Sequence, residues 1–295
     1  MRSPVDEYLS PPASAVRTAV ETALAEDLTP LGDLTSVLVP ADALTTAEFR
    51  ARDAGVLAGV DCVIETFTQV DPDLELAWRL SDGDRLEAGA VIGTVEGRLR
   101  TVLTAERTAL NFLSHLSGVA TNTAAFVDRV VATGSVTRVW DTRKTTPGLR
   151  SLQKAAVRAG GGRNHRANLS DAIMVKDNHL TGLGVAEAVG LAQDRWPNRT
   201  VVVECERIDQ MVTAIEAGAD SVLLDNMSPE QVADCVARAA ELQGASPRRC
   251  LLEASGGINL DTIAAYAATG VDLVSSGAIT NSAPVLDIGL DVVVA

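Results

Sequence analysis

At 295 residues, 46% hydrophobic and 22% charged, the chain has length and apolar content enough for two domains or one large α/β barrel. A formal net charge of −14, a pI near 4.6 and only 3% aromatic residues oppose phosphate-backbone binding and base stacking, so no nucleic acid is expected as a partner. The opening "MRSPVDEYLSPP" lacks the apolar core of a signal peptide, and no apolar run approaches the ~20 residues of a membrane span. Four scattered cysteines (Cys62, Cys205, Cys235 and Cys250), with no CxxC pair, argue against zinc and against a disulfide framework. A cytoplasmic protein with buried free thiols and no membrane contact is the expectation.

Residues 11–26 carry Val16, Ala19, Val20, Ala23 and Leu24 at helical spacing, and Pro30 and Gly32 close that element. From about 45 to 103, short alternating runs such as "LELAWRL" and "AVIGTVEG", broken by "SDGD" and "EG", predict an antiparallel sheet with tight turns. The stretch "LTAERTALNFLSHLSGVATNTAAFVDRVVATG" predicts one long helix or two. Leu110, Leu113 and Leu116 form its apolar stripe, while Arg107, Asn111 and Ser114 share another face.

After Gly134 six short apolar runs each stop at polar or glycine residues: "RVWDTRK", "AIMVKDN", "VVVECE", "VLLDNM", "LLEASGG" and "LVSSGA". Amphipathic stretches such as "RIDQMVTAIEAGA" lie between several of them. Strand–helix alternation at this spacing predicts βα units forming a parallel barrel, whose C-terminal strand ends line one mouth. An open doubly wound sheet is the alternative, since six units fall short of the usual eight.

Charge is distributed unevenly. Of 22 arginines and three lysines, the lysines (Lys144, Lys154 and Lys176) all fall within 33 residues. Between Arg138 and Lys176 nine basic residues face two acids, Asp141 and Asp171. Arg143 and Lys144 leave the first barrel strand, Lys176 leaves the second, and His165 and Arg166 follow the Gly160–Gly162 run between them. Guanidinium forks favour carboxylates and phosphates, and three glycines permit close backbone approach. The local acids are too few to pair these cations, so a polyanionic ligand is expected rather than surface ion pairs.

Glu204 and Asp225 end the third and fourth strands. Two carboxylates at a cationic mouth suit Mg²⁺ or ribose hydroxyls, though pairing with an arginine for structure alone has comparable weight. "ASGGI" and "SSGAI" follow the last two strands, and glycine turns leading into helices offer N–H groups to phosphate. From the residues alone, the mouth should bind a phosphorylated sugar and a second, multiply anionic substrate.

"DTRKTTPGLRSLQKAAVRAGGGRNHRANLSDAIMVKDNH" resembles the signature stretch of the quinolinate phosphoribosyltransferases. "EDLTPLGDLTS", "AERTALNFLSHLSGVAT", "AGADSVLLDNMSP" and "EASGGI" extend the likeness over nearly the whole chain. The resemblance implies a pentosyltransferase of NAD biosynthesis. It would join quinolinate to 5-phosphoribosyl-1-pyrophosphate with Mg²⁺, giving nicotinate mononucleotide, pyrophosphate and CO₂. It also implies an N-terminal α/β sandwich domain over 1–118, an incomplete parallel α/β barrel over 119–279, and a segment 280–295 that returns to the sandwich.

On the same resemblance, Arg143, His165, Arg166 and Lys176 surround the carboxylates of quinolinate with Thr142, joined by Arg107 from the neighbouring subunit of a homodimer or larger homo-oligomer. Lys144, Lys176, Glu204 and Asp225 carry the chemistry at ribose, pyrophosphate and Mg²⁺, and the two acids contact the metal directly or indirectly. Ser255, Gly256 and Gly257, with Ser276, Gly277 and Ala278, would cradle the 5′-phosphate. Two departures stand out: Val202 sits where many relatives have an acid, and His115 replaces a common glutamine. Two other classes stay open: a Schiff-base lyase using Lys144 or Lys176, and a non-catalytic anion-binding paralogue linked to molybdate uptake, against which the lysine of "MVKDNH" argues.

Overall fold

The computed structural model describes residues 8–244 and 249–293. The chain divides into two compact units: Met1–Ala124 with Thr145–Gly161 and Thr280–Ala295, and Ala125–Lys144 with Gly162–Ile279. The stretch Thr145–Gly161 thus groups with the first unit, whereas the expected boundaries leave it in the barrel.

In the first unit, helix α1 (Ala13–Leu28) buries Val16, Val20 and Leu24, one residue per turn along a single stripe. Strands β1 (Leu44–Ala51), β3 (Glu75–Trp78), β5 (Val91–Arg98) and β12 (Ile288–Val293) form an antiparallel sheet in the order β12-β1-β5-β3. A separate pair joins β2 (Gly55–Val56) to β4 (Arg85–Leu86). Alternation along β1 turns Ala47, Phe49 and Ala51 inward, all at 0% exposure. Phe49 stacks on Trp78 at 5.3 Å and meets Phe67 edge-on at 5.9 Å.

Phe67 belongs to a helix, α2 (Val60–Val70), inside the stretch expected to be all strand. Its β-branched residues favour a strand locally, but Cys62, Val63, Thr66 and Phe67 recur at helical spacing and are buried. Core burial overrides propensity there. Helix α3 (Leu99–Val131) is a single element of 33 residues, about 50 Å long. Leu110, Leu113 and Leu116 along it are buried, as their stripe predicts.

The second unit holds the six expected parallel strands: β6 (Arg138–Trp140), β7 (Ile173–Val175), β8 (Val201–Cys205), β9 (Ser221–Asp225), β10 (Leu251–Ser255) and β11 (Leu273–Ser275). Their order is β6-β11-β10-β9-β8-β7. Five strands follow one another in chain sequence and the first rejoins the last, which is the cyclic order of a barrel. A doubly wound sheet would reverse direction at an internal strand. Between β6 and β7 the ring stays open, and Arg163 forms a one-residue parallel bridge to Trp140 beside β6. Helices α5 (Val185–Arg195), α6 (Ile208–Glu216) and α7 (Pro229–Gln243) connect successive strands; α4 (Arg150–Ala159) precedes α5 in the chain and groups with the first unit. Among the described residues, no helix is long and apolar enough to cross a membrane.

Candidate active site

Parallel register sets the first group of side chains. Val175 pairs with Val203, so the next residues on the two strands, Lys176 and Glu204, stand side by side, with Lys176 Nζ 2.5 Å from Glu204 Oε2. Asp225 ends the neighbouring strand, in register with Ser255. Burial, then the charge of Glu204, raises the Asp225 carboxyl above its ordinary value, while Lys176 and Lys144 oppose the rise. Those four groups therefore share one electrostatic neighbourhood. The pair is half-buried, with Lys176 at 41% and Glu204 at 14% side-chain exposure, and it stands at the strand ends rather than within the core.

The second group hangs on a buried acid. Asp141, at 0% exposure just after β6, accepts the side-chain amide of Asn164 at 2.8 Å and the backbone N–H of His165 at 2.7 Å. It thereby pins the turn that follows the three glycines. His165 Nδ1 in turn accepts the Arg166 N–H at 2.7 Å, and its ring stands edge-on to Trp140 at 5.6 Å. The Arg166 guanidinium donates to Ala172 O at 3.2 Å. Burial and the nearby Arg143 lower its hold on its proton, against the pull of Asp171. Two guanidiniums that repel one another are stabilised by an anion placed between them.

Lys144 follows directly. Its N–H donates to Thr142 Oγ1 at 3.0 Å, and its side-chain stem lies across Gly277, where a Cβ would fall 2.7 Å from Lys144 Cδ. Gly256, at φ +94, leaves room for Asn226: a Cβ there would stand 2.3 Å from Asn226 Oδ1. Asn226 itself is left-handed at φ 56 and donates its N–H to Ser255 O. Of the two serines expected at phosphate, Ser276 is 4% exposed and its hydroxyl donates to Ile258 O at 2.6 Å. The Ser255 hydroxyl is half-buried and accepts from Ser275 at 3.0 Å. The backbone of the Ser276 turn is partly committed as well: Ser276 N–H donates to Trp140 O and Ala278 N–H to Ser276 Oγ, both at 3.2 Å.

The second unit thus carries Thr142, Arg143, Lys144, Lys176, Glu204, Asp225 and both glycine turns at its strand ends, and His165 and Arg166 on the connection between β6 and β7. Arg107 belongs to the other unit, on α3, where its side chain is 72% exposed. Residues not singled out from sequence also matter: Asp141, Asn164, Asn226, and Glu253, whose carboxylate lies 3.2 Å from His165 Nε2. Asp141 carried a signal, as one of only two acids in the basic stretch and placed at a strand end. Neither lysine sits desolvated in an apolar pocket, one of the settings that activates a Schiff-base nucleophile; Lys144 is exposed and Lys176 is ion-paired.

An incomplete parallel barrel whose strand ends collect two lysines, two carboxylates and two adjacent arginines defines a class: barrel enzymes acting on small polyanions. Comparison with known proteins narrows the class. Residues 33–117 and 119–291 match the N-terminal and C-terminal domains, respectively, of quinolinate phosphoribosyl transferase. The nicotinate-nucleotide pyrophosphorylase [carboxylating] of Mycobacterium leprae is 41% identical, over 94% of this chain and 97% of its own. The Nicotiana tabacum quinolinate phosphoribosyltransferase [decarboxylating] 1b is 34% identical over 95% of this chain and 83% of its own. The structure of the nicotinate-nucleotide pyrophosphorylase from Francisella tularensis superposes with a TM-score of 0.90 at 40% identity, covering 96% of this chain and 98% of that one. The chain belongs to the quinolinate phosphoribosyl transferase family.

Proposed function

We propose that this chain transfers the phosphoribosyl group of 5-phosphoribosyl-1-pyrophosphate to the ring nitrogen of quinolinate, with decarboxylation, giving nicotinate mononucleotide, pyrophosphate and CO₂. The observation that carries the reading is the mutual repulsion of the Arg143 and Arg166 guanidiniums on the same barrel whose strand ends set Lys176, Glu204 and Asp225 together. A dicarboxylate relieves the repulsion of the arginines, and the Glu204 and Asp225 carboxylates meet the sugar. Arg143, Arg166 and Lys176, with His165 and Thr142 in support, take the quinolinate end. Lys144 takes the pyrophosphate, and the turns Ser255–Gly257 and Ser276–Ala278 take the 5′-phosphate.

The chemistry follows from charge. As the bond from the anomeric carbon to pyrophosphate breaks, its electron pair leaves with oxygen and positive charge grows on the sugar. Glu204 and Asp225 stabilise that charge, Lys144 stabilises the leaving group, and the pyridine nitrogen lone pair closes on the carbon. The quaternised ring then accepts the electrons of the adjacent carbon–carboxylate bond, CO₂ departs, and a proton replaces it. Positioning two reactants supplies much of the rate.

Mg²⁺ enters in this reading with the pyrophosphate. A small hard cation takes about six oxygens, commonly one or two carboxylates plus substrate phosphates and water. Glu204 and Asp225 are two such carboxylates, and among the described residues no group of three or more possible ligands forms a cage without substrate. Bound there, the ion would neutralise charge on the departing pyrophosphate. A homodimer or larger homo-oligomer with Arg107 reaching the neighbouring subunit's site belongs to the same reading. So does a cytoplasmic location, which suits four buried free thiols. The deciding assay is release of CO₂ from carboxyl-labelled quinolinate: it should require both 5-phosphoribosyl-1-pyrophosphate and Mg²⁺. Release that ignores either one, or none at all, would reject the function.

A further inference from the structure

A carboxylate inside an apolar barrel strand is costly. Glu253 is the third residue of β10, 1% exposed, between Leu252 and Ala254 at 4% and 0%. It lies in register with Leu223 on one side and Leu273 on the other. An ionised carboxylate so placed costs several kcal/mol unless a donor meets it. Among the described residues its Oε1 has no hydrogen-bond partner. His165 Nε2 lies 3.2 Å from Oε2, within ion-pair distance but without hydrogen-bond alignment.

The imidazole is equally committed. Its side chain is 9% exposed and packs edge-on to Trp140. Nδ1 receives the Arg166 N–H at 2.7 Å. A nitrogen whose lone pair takes a backbone N–H carries no proton of its own, which leaves the ring proton on Nε2, the nitrogen facing Glu253. One chain of contacts therefore runs from the middle of β10, through the His165 ring, to the backbone of Arg166.

We propose that Glu253 is a positioning residue for the anion-binding turn: it receives the His165 Nε2–H, fixes the ring, and through Nδ1 sets the backbone that aims Arg166 beside Arg143. The proposal rests on the reading of Arg143 and Arg166 as the quinolinate end. His165 then serves that end by holding Arg166, and Glu253 never touches substrate.

The test joins a spectrum to kinetics. The chain has three histidines, His115, His165 and His179, so ¹⁵N-histidine spectra of the substrate-free protein are assigned with His115→Gln and His179→Gln. His165 should show a protonated Nε2 and a bare Nδ1. Glu253→Gln, whose amide oxygen still accepts, should keep that pattern and hold both Michaelis constants within about threefold. Glu253→Leu should give mixed tautomers and raise the KM for quinolinate by on the order of 10- to 100-fold, leaving the KM for 5-phosphoribosyl-1-pyrophosphate within about threefold. A proton on Nδ1 in the unmodified protein overturns the proposal. So does an unchanged tautomer or unchanged quinolinate KM in Glu253→Leu, or an equal rise in both constants, which marks a packing role. Should Glu253→Leu fail to fold, loss of the Nε2–H pattern in Glu253→Gln overturns it and retention supports it. An enzyme without quinolinate-dependent turnover would sink the function alone; the tautomer still decides the contact.

Discussion

Gly277→Ala separates the placing of Lys144 from the stability of the fold. Gly277 has no left-handed φ, so alanine is accepted by the backbone without strain. The new methyl would stand 2.7 Å from Lys144 Cδ, where ordinary contact begins at 3.4 Å, so the stem must retreat by about 0.7 Å. The ammonium lies beyond Cδ and moves further still. A misplacement near 1 Å of a group acting on the leaving pyrophosphate is worth about 10²-fold, or roughly 2.7 kcal/mol, in kcat/KM for 5-phosphoribosyl-1-pyrophosphate. Stability should change by less than about 1 kcal/mol, because a flexible side chain yields rather than backbone. Steady-state kinetics and urea denaturation read the two quantities. In a Lys144→Ala background, itself expected to lose roughly 10²–10³-fold, the same alanine should cost less than about twofold. Gly277→Ala that leaves turnover intact, or that slows the Lys144→Ala enzyme as much as the parent, refutes the placement.

Nicotinate, with one carboxylate, should be turned over at least about 10³-fold less efficiently than quinolinate, because it leaves a cation of the Arg143–Arg166 pair without its partner; comparable efficiencies would remove the dicarboxylate reading. Mixing inactive Arg107→Ala and Lys144→Ala subunits should restore activity in proportion to the hybrid dimers counted by mass spectrometry, since one barrel then gains both groups. No recovery after proven exchange would mean that the site is not shared between subunits. Asp33 accepts N–H groups of Thr35 and Ser36 and the hydroxyls of Ser36 and Thr104. These bonds, led by the Ser36 hydroxyl, pull its carboxyl from 3.8 down to about 2. A depressed carboxyl stabilises the fold above its unfolded value and loses that effect on acidification. Asp33→Asn should therefore cost about 1 kcal/mol after solvent screening from neutral pH down to about pH 4, with the gap closing toward pH 2. A gap in urea stability that stays constant with pH would argue against it.

The six barrel strands are readable from sequence because each apolar run ends in a polar or charged residue: Asp141, Lys176, Glu204, Asp225, Ser255 and Ser276. The same polar endings mark most of the mouth, which is why the cation set and both carboxylates are found without coordinates. Helix α2 escapes because Val60, Val63, Ile64, Thr66, Thr68 and Val70 have strand preferences, and only contact with Phe49 and its neighbours decides against them. Glu253 escapes for the opposite reason. One acid within "LLEASGG" looks like the solvent face of an alternating strand, and nothing local says that the strand is covered on both sides. Ser276 is half legible: its position in the turn is plain, but its hydroxyl is taken by Ile258 O, 18 residues back along the chain.

The pairing of the sheets sets a timetable for the growing chain. Arg138 of β6 finds its partner only at Leu273, and β1 finds one of its two partner strands only at β12, which begins at Ile288. At 5–20 residues per second, β6 waits on the order of 10 seconds beside the ribosome without the neighbour that completes it, and β1 waits longer. Neither sheet can finish until residues 273–293 have been made, so both units carry unsatisfied strand edges until then. During that interval the open edges of β1 and β6 are the places where a wrong partner strand could add.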